Sequence, residues 1–130
     1  MEKHYIDIDG HWAFVFAYDI GEEDLEDIGC WLRALGCGAK RIGKALRVAT
    51  ATNCGFTFSN PDLKMSVMVI SNASSPEQWW DTLDHEIDHL QDAICRYYDV
   101  PLGTEEAAYL QGYIMRGIFS SLMGKKNKGV

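Results

Sequence analysis

Basic residues are in short supply. The 130-residue chain holds 12 Lys and Arg against 19 Asp and Glu, a formal net charge of −7. Such a chain lacks the basic face that neutralises phosphates, so nucleic acid is not an expected partner. The one basic cluster, Lys125-Lys126-Asn127-Lys128, reads as a frayed end: a basic flexible tail over residues 125–130 behind a single domain over residues 1–124. Long apolar runs are missing as well. The longest, Trp12–Ala17 and Val67–Ile70, fall far short of the roughly 20 residues of a membrane span. The first ten residues, MEKHYIDIDG, contain no apolar signal core, so a cytoplasmic protein with no membrane partner is expected. None of the cysteines (Cys30, Cys37, Cys54, Cys95) stands in a CxxC pair. Reduced, mostly buried thiols are the expectation, because thiolate metal sites usually draw on closely paired cysteines.

What is present is apolar material for one core: 47% hydrophobic residues, with four Trp, five Phe and six Tyr, in a length that suits one domain. Asp9-Gly10 joins the strand-like runs Tyr5–Ile8 and His11–Tyr18, a hairpin signal because a type I′ turn needs positive φ at both central residues. Trp12, Phe14, Phe16 and Tyr18 fall on one face of the second run and Ala13, Val15 and Ala17 on the other. Leu25, Ile28, Leu32 and Leu35 recur at helical steps, with Gly36 as a C-cap. A short helical turn and then a strand near Leu46–Ala51 are expected next. Asn53–Ser59 and Met65–Ser71 read as strands joined by Asn60-Pro61-Asp62-Leu63. Ser75-Pro76-Glu77-Gln78 is a well-formed helix start, opening a helix to about Tyr98 that stops before Pro101. Thr104 caps a last helix to about Met123. The fold class is thus α+β: a small antiparallel sheet with an early helix, followed by two C-terminal helices.

The chemistry is concentrated in LDHEIDHLQD, residues 83–92. On the helix that contains it, Trp80, Leu83, Ile87, Leu90, Ile94 and Tyr97 make one apolar stripe. At about 100° per residue, His85 and His89 share the far side, stacked where both rings can meet one ion. Glu86 projects about 100° round from His85, towards the core border, within reach of a metal-bound water. A solvated helix face carrying two histidines is the alternative. By average residue usage, His-Glu-x-x-His arises in roughly one chain in a few hundred of this length, so the pattern asks for a third ligand.

Sixteen positions after His89 stands Glu105, in Glu105-Glu106-Ala107-Ala108-Tyr109. Pro101 and Gly103 leave room for the first helix to end and a second to return across it. The acidic pair also suits a helix N-terminus on electrostatic grounds alone. Taken together, the two stretches resemble the gluzincin metallopeptidases, which carry HExxH on one helix and a ligand glutamate in a Glu-x-x-Ala motif on a following one. The form with Tyr-Leu after the Ala is similar to the small minimal gluzincins of phages and mobile elements. The likeness covers about residues 75–116. It implies a zincin-like fold and a Zn2+ ion held by His85, His89 and Glu105, the motif register favouring Glu105 over Glu106. The better-known members place an Asp where this chain has Tyr109. Asp81, Asp84, Asp88 and Asp92 run beside the histidine face, and Asp88 and Asp92 are candidates to support the ligand histidines; the same stripe also reads as a solvated acidic face.

The implied activity is zinc-dependent hydrolysis of peptide bonds. Zinc lowers the pKa of its bound water, Glu86 takes the proton as general base, and Tyr109, Tyr113 and Arg116 are candidates to steady the developing oxyanion. A peptide or protein is the expected substrate, added in extended form to a strand bordering the cleft. The other reading is a metal-binding structural or interaction protein without turnover.

Overall fold

The computed structural model describes the backbone of residues 1–127 and the side chains of residues 1–124. Strands β1 (Glu2–Ile8) and β2 (Trp12–Tyr18) form the expected antiparallel hairpin. Asp9 and Gly10 take φ 51° and 75°, and the His11 amide donates to the Ile8 carbonyl at 2.9 Å. Helix α1 (Leu25–Ala34) follows a single 3-10 turn at Glu22–Asp24. Gly36, at φ +83°, ends it in a left-handed residue that only glycine adopts freely.

The next segment departs from expectation. Residues 39–49 form one continuous helix, α2 (Ala39–Ala49), in place of a turn and a strand near Leu46–Ala51. The stretch AKRIGKALRVA is rich in strong helix formers. Ile42 and Ala49 are buried and Ala45 and Leu46 pack beside them, so the segment carries a helical stripe rather than a strand's alternation.

Strands β3 (Gly55–Asn60) and β4 (Met65–Ile70) pair antiparallel across the Asn60–Lys64 turn. The four strands lie in the order β1-β2-β4-β3. β2 and β4 run parallel, with Ala13 opposite Met65 and Ala17 opposite Val69, so the sheet is mixed and not wholly antiparallel. A parallel pair needs a crossover of a dozen or more residues, and the chain from Asp19 to Lys64 supplies one. The class is α+β, with β1 and β3 as the two sheet edges.

Two helices complete the chain: α3 (Pro76–Tyr98) and α4 (Glu105–Asn127). Ser75 Oγ accepts the Gln78 amide at 3.2 Å, and Thr104 Oγ1 accepts the Ala107 amide at 3.3 Å, so both expected N-caps are formed. Asp99 closes α3 in the left-handed region at φ 58°. The backbone of α4 runs on to Asn127; residues 128–130 of the expected tail lie outside the described residues. Among the described residues no helix is long and apolar enough to cross a membrane.

Helices cover both faces of the sheet. On one, Trp12, Phe14, Phe16 and Tyr18 join Met68 and Ile70 against Leu83, Ile87, Leu90 and Ile94 of α3 and Ile114 and Ile118 of α4. On the other, Ala17, Val67 and Val69 meet Ile28 and Leu32 of α1 and Ile42 of α2. The ends of the expected α3 stripe differ: Trp80 and Tyr97 are exposed. Trp79 packs on the core in place of Trp80, and Tyr97 meets the Trp12 ring edge-on while Lys64 Nζ lies over its own ring at 5.5 Å.

Candidate metal centre

Helix α3 sits on the sheet through its Leu83-Ile87-Leu90-Ile94 stripe, and this fixes where its polar residues point. Glu86 lies on the flank facing β3. It is 3% exposed, and its Oε1 accepts a hydrogen bond from Thr57 Oγ1 at 2.8 Å. A buried carboxylate is costly unless its oxygens are partnered, and Thr57 partners one of them. Gly55 makes the approach possible. A Cβ there would stand 2.9 Å from Thr82 Cγ2, 3.0 Å from Glu86 Cγ and 3.0 Å from the Val69 carbonyl oxygen, closer than packed atoms tolerate.

His85 and His89 stand on the exposed side of the same helix. Their rings meet edge to face with centroids 4.7 Å apart, and their Nε2 atoms are 3.1 Å apart. Two imidazole nitrogens bound to one tetrahedral zinc at about 2.0–2.1 Å lie roughly 3.3 Å from each other, so the pair fits two ligands of one ion. The same spacing suits a hydrogen bond between the rings, with either one as donor. The ligand atoms of His85, Glu86 and His89 all lie within 4.8 Å of one another. The three residues that the HExxH spacing brings to one helix face are therefore together in space, and among the described residues they are the grouping suited to a metal.

Glu105 does not join them. Gln91, two residues past His89 and so about 160° round the helix from it, donates from Nε2 to the Ala107 carbonyl at 2.8 Å. That bond holds the first turns of α4 on the flank of α3 away from β3, while the histidines lean the other way. Glu105 and Glu106 are both exposed in the first turn of α4, where the helix dipole favours a carboxylate. Tyr109 and Tyr113 are also exposed on α4, and the Arg116 guanidinium lies over the Tyr113 ring, 4.7 Å from its centroid. Both tyrosines line a cavity beside the β1–β2 turn with Glu106, not the depression that holds His85.

Asp81, Asp84 and Asp88 border that depression together with His85, Glu86, Asn53 and Cys54. Asp92 is engaged elsewhere, in an ion pair with Arg96 at 3.0 Å. Thr57 and Gly55, the two residues that hold Glu86 in place, had no signal in the sequence. Their importance depends on which strand lies under α3.

No protein-family model, curated protein or solved structure matches this chain. What the centre can do follows from its own geometry. Two exposed imidazoles aim their nitrogens at one point, and a fixed, buried carboxylate stands beside them at the margin of an edge strand.

Proposed function

We propose that the protein is a zinc-dependent peptidase, with His85 and His89 holding the ion and Glu86 acting as general base. The observation that carries this reading is the His85–Glu86–His89 grouping, with its 3.1 Å Nε2–Nε2 separation. Zinc at that point would supply a Lewis acid and a water acidified towards neutrality. Thr57 engages Oε1 of Glu86, which leaves Oε2 to take a proton and pass it to a leaving amine. Strand β3 is a sheet edge beside this carboxylate, and its outer row of backbone groups suits an extended peptide added as a further strand. The reading agrees with the gluzincin resemblance in its HExxH half, and a cytoplasmic setting goes with free cysteines at all four positions. The Glu-x-x-Ala half supplies no third ligand in this arrangement, which leaves more of the coordination sphere to water and substrate.

A second reading is favoured by the burial of Glu86: its carboxylate serves as a third ligand, giving a closed, non-catalytic metal site. One variant separates the two. On the peptidase reading, Glu86→Gln retains about one zinc per chain by elemental analysis and loses all cleavage of a mixed peptide library. On the closed-site reading it loses the zinc, and the wild type cleaves nothing. A wild type that retains no zinc after a zinc soak would overturn both.

A further inference from the structure

Away from the histidines, a cavity of about 440 Å³ opens between the β1–β2 turn, the end of α3 and the start of α4. Its volume lies in the usual range for small-molecule sites. The floor is apolar, formed by Ile8, Trp12, Ile94 and Leu110, and Tyr98, Tyr109 and Tyr113 also line it. Two acidic residues line it, Asp9 from the turn and Glu106 from α4, together with His11, and among the described residues no Lys or Arg lines it. The Tyr98 hydroxyl donates to the His11 carbonyl at 2.7 Å, which ties the end of α3 to the turn and fixes one wall. The Tyr113 ring takes the Arg116 guanidinium at 4.7 Å, so one of its faces already carries a cation.

From this combination we propose that the cavity binds a small organic cation, an ammonium carried on a flat apolar body. The body fills the floor over Trp12 and Leu110. The ammonium is held by the carboxylates of Asp9 and Glu106, beside the Tyr109 ring. Acidic groups at a helix start are common, and Asp9 also holds the hairpin turn. What selects the ligand is the pairing of both carboxylates with an aromatic, apolar cavity, whose lining includes His11 and whose Tyr113 ring carries Arg116. The site shares no residue with the His85–Glu86–His89 grouping and does not depend on metal there.

Three probes of nearly one shape isolate the charge: tryptamine, tryptophol and indole-3-propionate. Calorimetric titration of the full chain is expected to give tryptamine at least tenfold tighter binding than neutral tryptophol, and no measurable binding of the anionic acid. Glu106→Gln is expected to weaken tryptamine about tenfold while leaving tryptophol unchanged. Asp9→Asn, which keeps a residue suited to positive φ, should do the same more weakly. Amide chemical-shift changes should cluster at residues 8–12 and 106–113. Equal affinity for tryptamine and tryptophol, no tryptamine binding at millimolar concentration, or an unchanged affinity in both variants would each overturn the proposal. Circular dichroism of each variant verifies that the fold is intact.

Discussion

Thr57 donates to Glu86 Oε1 at 2.8 Å, from an edge strand to a helix 29 residues further along the chain. The bond joins the one buried charged side chain beside the histidines to the strand that an extended substrate would meet. Removing the donor while keeping the shape, as in Thr57→Val, leaves a buried carboxylate oxygen without its partner. A loss of about 1–3 kcal/mol is expected, read as an earlier midpoint in denaturant unfolding. If Glu86 is a base, turnover should fall in Thr57→Val with zinc content unchanged.

Gly55 is the packing counterpart of that bond. An alanine there meets Thr82, Glu86 and the unyielding Val69 carbonyl at 2.9–3.0 Å, so α3 must lift from β3. Overpacking of this kind costs about 1–3 kcal/mol. The expected result for Gly55→Ala is a lower unfolding midpoint together with reduced Thr57–Glu86 coupling in a double-mutant cycle with Thr57→Val.

The two histidines and Glu105 should separate cleanly in zinc titrations. His85→Ala or His89→Ala each removes half of the converging pair, and at least a hundredfold loss of zinc affinity is expected. Glu105→Gln, outside the grouping, should weaken binding less than tenfold. A Glu105→Gln loss as large as that of the histidines would mean that α4 moves across α3 when metal binds.

Cys95 gives a pH dependence with a definite sign. Burial, and secondarily the charge of Asp92, hold its thiol pKa above the ordinary value. A folded pKa raised above the unfolded one means stability fully present below the unfolded thiol pKa, about 8.5, and lost as pH rises through the folded value. Unfolding free energy should therefore fall on the alkaline side in the wild type, and less steeply in Cys95→Ala. Thermal melts from pH 7 to 10 measure the difference.

Features set by near neighbours in sequence were legible before the fold was known. The Asp9-Gly10 turn, the Gly36 cap, the Ser75 and Thr104 caps and the shared face of His85 and His89 each depend on residues within a turn or two. The α2 segment misled because Leu46-Arg47-Val48 taken alone has a strand's alternation, and the helical stripe appears only when Ile42 is included. The parallel β2–β4 pair, the flank of α3 that α4 occupies and the Thr57 partner of Glu86 are long-range choices. They depend on how the sheet orders its strands and on contacts between distant segments, the Gln91–Ala107 bond among them, and no local period encodes them. The candidate metal site was therefore legible on its own helix and not beyond it.

The parallel contact between β2 and β4 has a bearing on how the chain assembles. Each of the two hairpins, β1–β2 and β3–β4, closes over a few residues, whereas their junction pairs Ala13 with Met65 and ties Trp12 Nε1 to Ser66 Oγ at 2.9 Å across 54 positions. Bringing such distant segments together carries a loop-closure cost that local pairs escape, and folding slows as contacts become less local. During synthesis the first hairpin must wait with one long side uncovered until Ile70 has emerged. The helix bearing His85 and His89 finds its platform only after that junction has closed, so the His85–Glu86–His89 grouping should form after the junction does.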